Sequence, residues 1–155
     1  MEGKPVSVSQ VVLSRSMQPM DANPMGNVHG GVILRLMDEA GGVAATRHSR
    51  TRAVTAAIDS FSFHHPVFVG DLVTVKASIN WVGHTSMEVG VRVEAENLLT
   101  GTITHTSSGY LVYVALDENG SPRKIPPLIA ETDEDRRHMA EGQKRQEARL
   151  RARKK

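Results

Sequence analysis

Apolar residues at Ile33, Leu36, Met37, Ala40 and Ala44 recur at i, i+3, i+4, i+7 and i+11, which marks one face of a helix that should pack on a sheet. The stretch that carries them, "HGGVILRLMDEAGG", follows a loop-like run, "QPMDANPMGN", crowded with Pro, Asp, Asn and Gly. Before that loop, residues 6–17 are rich in β-branched side chains and partly alternate, which predicts a strand. Beyond residue 52 the period changes to two. "AVTAAIDSFSF" is one run, and "DLVTVKASINWVG" sets Leu72, Thr74 and Lys76 against Val73, Val75 and Ala77. "TSMEVGVRVEAENL" sets Met87, Val89, Val91 and Val93 against Glu88, Gly90, Arg92 and Glu94, and "THTSSGYLVYVAL" is the last run. The links between them, "HHPVFVG", Gly83–His84 and "LTGT", are short enough for antiparallel neighbours.

This order predicts an α+β fold: one long central helix wrapped by a curved antiparallel sheet of about five strands. Residues 1–130 form that domain, and 131–155 form a charged C-terminal helix or tail with Thr132 as N-cap and acids in its first turn. The strands after the helix are longer than usual, so a sheet edge should be covered by a second copy of the chain.

Composition narrows the chemistry. The chain has 155 residues, 39% hydrophobic and 23% charged, which suits one globular domain. It has no cysteine, which excludes disulfides, thiolate metal sites and a Cys nucleophile. No apolar run is long enough to span a bilayer, and "MEGKPVSVSQ" lacks the apolar core of a signal peptide, so the expected location is cytoplasmic. Net charge is +2, but residues from Glu131 onward hold 9 basic and 6 acidic side chains, so the body is close to neutral. A nucleic-acid-binding face is not expected on such a body, and the basic tail reads as a solvated helix end. No His and carboxylate set has metal-site spacing, and neither a G-x-S-x-G elbow nor a phosphate-cradling Gly-rich loop occurs.

Two features of the central helix carry candidate chemistry. Free N–H groups at a helix start bind an oxyanion or polarise a carbonyl, and Gly30 and Gly31 bring no side chain to block such a ligand. The same glycines also fit a tight loop-to-helix entry. Asp38 lies one position off the apolar stripe among Leu34, Gly41, Gly42 and Ala45, where a carboxylate can serve as general base or nucleophile. It fits an exposed helix position as well. Glu39, further round, is expected to be solvated. Gly30 and Asp38 are eight residues apart, about 12 Å along a helix. A reacting carbonyl needs both groups within about 3 Å. If both act, two antiparallel copies of the helix must build each site, one supplying Gly30 and the other Asp38.

The stretch "DANPMGNVHGGVILRLMDEAGGVAATRHS" resembles the signature of the hotdog-fold acyl-CoA thioesterases of the cytosolic acyl-CoA hydrolase type. The likeness extends through "FHHPVFVGDLVTVKASINWVGHTSMEVGVRVEAEN" and "YVALDENGSPRKIPPL", covering roughly residues 8–130. It implies the hotdog fold and hydrolysis of acyl-CoA thioesters to fatty acid and coenzyme A, with no cofactor beyond the coenzyme A of the substrate. By the same resemblance Asn23 helps orient the thioester or the attacking water, Gly30 donates to the thioester oxygen, and Asp38 is the catalytic acid group. A homodimer would then make two complete sites, and three dimers a hexamer. Substrate contacts are expected at His29 and Gly31, at the helix entry, where the N–H of His29 joins that of Gly30. Further contacts are expected in "GHTSMEV", at His84, Thr85, Ser86 and Met87, and at Arg123 and Lys124 for the coenzyme A phosphates. His84 stands where the family usually has Arg or Lys, which makes a phosphate contact there pH-dependent. Leu36, Met37, Ile58 and Met87 are expected to line an acyl channel of broad chain-length range, without preference for a carrier protein. A hotdog acyl-thioester hydratase, using a His with a carboxylate, and a non-catalytic acyl-CoA sensor are the competing readings.

Overall fold

The apolar stripe of the central segment forms α1, Gly30–Ser49. Ile33, Leu36, Met37, Ala40 and Ala44 are all buried, while Glu39 points to solvent. The helix stops at Arg50, whose backbone takes the left-handed conformation at φ 56° while its N–H caps the Thr46 carbonyl at 2.7 Å. The computed structural model describes residues 1–154.

Five strands surround α1: β2 (Val11–Ser16), β3 (Arg52–Phe63), β4 (Leu72–Val82), β5 (Ser86–Glu96) and β6 (Ile103–Leu116). They lie in the order β2-β4-β5-β6-β3, and every pair is antiparallel. The period of two decides which side chains meet the helix. Val73, Val75, Ala77 and Ile79 of β4, Met87, Val89, Val91 and Val93 of β5, and Leu111, Tyr113 and Ala115 of β6 form the core with α1. A short parallel pair, β1 (Lys4–Pro5) with β7 (Leu128–Ile129), ties the two ends of the fold together.

Two expectations need correction. The strand predicted over 6–17 is confined to Val11–Ser16, because Val6–Val8 turns as a short 3-10 helix closed by the Ser9 N–H on the Val6 carbonyl. The C-terminal helix α2 (Asp133–Arg153) starts as predicted, with Thr132 accepting the Asp135 N–H at 3.0 Å. It is not merely a solvated end, however; the last residue of the predicted tail, Lys155, lies outside the described residues. Helix α2 lies on the outer face of the sheet. A Cβ on Gly142 would come within 2.6 Å of Glu88 Oε2 and 2.8 Å of Trp81 Cβ, so only glycine lets the backbone approach this closely. Glu88 is fully buried beneath it and accepts Arg145 Nε at 2.6 Å and Nη2 at 3.2 Å. The Arg145 guanidinium stacks 3.7 Å from the Tyr110 ring centre, and Arg149 bonds Asp59 of β3 at 3.0 Å.

Arg145→Met would leave the Glu88 charge buried with only Arg149, 3.7 Å away, beside it. We expect a loss of about 3 kcal/mol in denaturant unfolding, because removing one partner strands the other charge. His48 tests the helix end. It is fully buried, with Nε2 on the Pro126 carbonyl at 2.8 Å and no partner for Nδ1 among the described residues. Burial pushes its imidazole below the ordinary 6.5; the Pro126 bond opposes this and the Lys4 charge adds to it. Below 6.5 the unfolded chain takes up a proton that folded His48 resists, so stability is lost as pH falls through that value. In unfolding measured between about pH 7 and pH 5, His48→Gln should lose less stability than the parent.

Candidate active site

The loop before α1 is built by side chains that bond their own backbone. Asp21 is buried, held by Arg15 at 2.9 Å and by the Gln18 N–H at 2.8 Å. Asn23 Oδ1 accepts the N–H groups of Met25 at 2.9 Å and Asn27 at 3.1 Å, an Asx turn. The loop thereby fixes the amide with its oxygen turned inward and leaves Nδ2 as a donor. At the helix entry the His29 carbonyl receives Val32 and Ile33, so the N–H groups of Gly30 and Gly31 have no acceptor among the described residues. Asn23, Gly30, Phe63, His64 and His65 line one cavity of about 300 Å³.

Asp38 stands elsewhere. It opens on a second cavity of about 410 Å³ with Gly42, Val43, Arg47 and Arg50. Thr55 Oγ1 of β3 and Tyr113 Oη of β6 each lie 2.8 Å from Asp38 Oδ1. An ionised carboxylate only accepts, so both hydroxyls donate. Burial, and then the bond and charge of Asp38, push the Tyr113 phenol far above its ordinary range, so it stays a donor. Both Gly30 and Asp38 sit on the continuous helix α1, about two turns apart or 12 Å. One chain thus keeps these two groups apart, each on its own cavity.

The hairpin between β4 and β5 makes a third group. The Ile125 N–H bonds the His84 carbonyl at 2.9 Å, and the Ala115 N–H bonds that of Thr85 at 3.0 Å. These bonds bring the expected cluster of His84, Thr85, Ser86, Arg123 and Lys124 to one end of the sheet, with His84, Arg123 and Lys124 exposed.

Three expected contacts are corrected. Met87 has no accessible surface and belongs to the core opposite Tyr113, because the strand period turns it inward. The His29 N–H is occupied by the Asp21 carbonyl at 2.9 Å, so it does not join Gly30 in facing a ligand. Leu36, Met37, Ile58 and Met87 do not share a channel within the chain, since Met37 and Met87 are sealed while Ile58 is 44% exposed. Thr55 and Tyr113 were missed. Thr55 is one residue in an alternating strand, and Tyr113 lies 75 positions from Asp38. The faint signal was Gly41. The room left by that glycine admits the Tyr113 hydroxyl, which an added Cβ would meet at 2.5 Å.

Gly41→Ala and Gly42→Ala should therefore differ in sign. At Gly42 the new methyl meets Tyr113 at 3.9 Å, an ordinary contact, so better helix propensity should stabilise by about 0.5–1 kcal/mol. At Gly41 the clash with a buried ring should outweigh that gain, for a net loss of about 1–2 kcal/mol. Thermal unfolding of the two variants checks the contrast.

The Thioesterase superfamily profile matches residues 25–102. The Helicobacter pylori protein VdlD is 39% identical over 92% of this chain and 82% of its own length. The mouse cytosolic acyl coenzyme A thioester hydrolase is 34% identical over 93% of this chain, which spans only 38% of that protein. Among solved structures, an apo-hexameric acyl-CoA thioesterase superposes with a TM-score of 0.94 at 36% identity, covering 98% of this chain and 97% of that one. The acyl-CoA hydrolase of Staphylococcus aureus, solved with butyryl coenzyme A, coenzyme A and coenzyme A disulfide, gives 0.89 at 29% identity, covering 97% and 92%. Variants of that hydrolase with an Asp, an Asn or a Thr replaced by Ala have also been solved. A central helix gripped by this sheet, a profile match across loop, helix and strands, and near-complete superposition agree: the chain belongs to the thioesterase superfamily, with the hotdog fold.

Proposed function

We propose that this chain hydrolyses acyl-CoA thioesters to the free acid and coenzyme A, at sites shared between two copies. The observation that carries this reading is the division of the helix into two half-sites. The Asn23 and Gly30 end offers donors to a thioester oxygen, and the Asp38 end offers a carboxylate held by Thr55. In the S. aureus hydrolase the replaced Asn, Asp and Thr stand 15 and 17 positions apart, the spacing of Asn23, Asp38 and Thr55 here.

The chemistry follows from the groups available. Gly30 N–H and Asn23 Nδ2 of one protomer hold the thioester and take up charge on its oxygen as the carbonyl carbon becomes tetrahedral. Asp38 of the partner either removes a proton from water or attacks the carbon itself. In both cases water adds across the C–S bond, giving a carboxylic acid and the coenzyme A thiol.

Strand β3 is an edge of the sheet, and its Val54, Ile58 and Phe63 are exposed apolar side chains. We infer that two β3 edges pair about a two-fold axis, joining the sheets and bringing the helices antiparallel. The hexameric state of the similar solved thioesterase supports three such dimers as the full assembly. The exposed His84, Arg123 and Lys124 suit the phosphates of coenzyme A. The name of the mouse relative supports a cytosolic location.

Asp38→Asn should keep the fold and lower kcat for thiol release by roughly 10² or more, the range of a lost general base. Unchanged kcat would refute the mechanism, and hydration of an enoyl-CoA in place of thiol release would assign the site to the hydratases. Shared sites are tested by mixing Asn23→Ala/Gly30→Pro chains with Asp38→Ala chains, each inactive alone. After exchange, activity should return to about a quarter of the parent, because random pairing leaves half the dimers with one intact site. A folded, well-exchanged mixture that stays inactive would overturn the sharing.

A further inference from the structure

The two oxygens of the Asp38 carboxylate are not equivalent. Oδ1 receives two donors, Thr55 Oγ1 and Tyr113 Oη, both at 2.8 Å, while Oδ2 receives none among the described residues. Tyr113 is 1% exposed and pinned in β6 between Met87 of β5 and Thr55 of β3. It reaches Asp38 only because residue 41 is glycine. The Tyr113 hydroxyl also lies 3.0 Å from the Asp38 backbone carbonyl, but it has one proton, which goes to the nearer and charged oxygen. Of the other charged groups near Asp38, Glu39 pairs with Arg35 at 3.2 Å and Arg47 donates to the Gln10 carbonyl at 2.8 Å. Arg50 caps the helix end with its backbone N–H and lines the same cavity as Asp38.

We propose that Tyr113 is a positioning residue for the hydrolysis, which with Thr55 locks Oδ1 and leaves Oδ2 as the oxygen that works on water or substrate. This rests on the reading of Asp38 as the reacting carboxylate. A carboxylate on a helix turns freely about its last bond unless something holds one oxygen. Two donors from two different strands fix both its rotation and its tilt. A carboxylate so held presents one lone-pair direction to the neighbouring half-site, which is the orientation effect that a shared site needs. Tyr113 touches neither substrate nor the reacting oxygen, and its hydroxyl acts through Asp38 alone.

Tyr113→Phe tests this, since it keeps the ring that packs below Gly41 and removes only the hydroxyl. We expect kcat to fall about tenfold or more, in the range of a lost hydrogen bond to a charged group, with KM nearly unchanged. A carboxylate that loses a donor is protonated more readily, so the acidic limb of the kcat/KM profile should move to higher pH by about half a unit to one unit. A purely packing role for Tyr113 would not move that limb. A folded Tyr113→Phe enzyme with a parental profile, or with lower kcat and an unmoved limb, overturns the proposal. If Tyr113→Phe does not fold, ring-fluorinated tyrosine incorporated in a Tyr110→Phe background changes donor strength at Tyr113 alone, because the chain has only 2 tyrosines. The more acidic phenols should then shift the limb to lower pH, and an unmoved limb across the series refutes the assignment. An active Asp38→Asn enzyme would remove the underlying reading. An inactive Asp38→Asn beside a parental Tyr113→Phe removes only the role of Tyr113.

Discussion

The rise of an α-helix governs this protein. Eight residues on α1 separate Gly30 from Asp38, and no rotamer can bridge about 12 Å. The rest of the fold keeps that separation rigid. Ile33 and Met37 lie between the two and are sealed against the sheet, so close packing holds that stretch of the helix straight. The long strands wrap α1 and end in an unpaired apolar edge, which is where a second helix can be brought alongside. The sharing of sites proposed above thus rests on the geometry of a single segment.

Around that helix, close approach is arranged by glycine and secured by charge. Gly41 admits a phenol from β6, and Gly142 admits the backbone of α2 onto Trp81 and Glu88. A glycine in a helix interior costs about 0.5–1 kcal/mol relative to alanine. Both positions offset that cost with contacts no larger residue permits. On the outer face the buried Glu88 would be intolerable alone, and Arg145 satisfies it from the covering helix. Arg149 then extends the same cluster to Asp59 on β3, so the C-terminal helix is anchored to the edge strand as well as to the sheet centre.

Periodicity made most of this legible. The stripe from Ile33 to Ala44 and the alternation of Met87 to Val93 gave the helix, the strands and the core face, since both report burial on one side of a local element. Gly30 and Asp38 stood out as candidates because they share one helical segment, whereas Asn23 was singled out by the family resemblance alone. The partners of Asp38 were not. Thr55 and Tyr113 come from strands at separations of 17 and 75 residues, and nothing in an alternating strand marks which hydroxyl meets which carboxylate. The burial of Glu88 was hidden for a related reason. An acid on the polar side of a strand looks solvated until a distant helix is placed over it.

The unfinished half-sites also bear on how such a chain can diverge after gene duplication. Under the proposed sharing, each copy carries both halves, yet each needs only one half to serve its neighbour. Two copies joined in tandem would hold a redundant donor end and a redundant carboxylate end. Selection would then protect one complementary pair and release the other, and the spare pocket would be free to drift toward a new ligand. A helix whose two ends serve different sites, as proposed, is thus raw material for asymmetry.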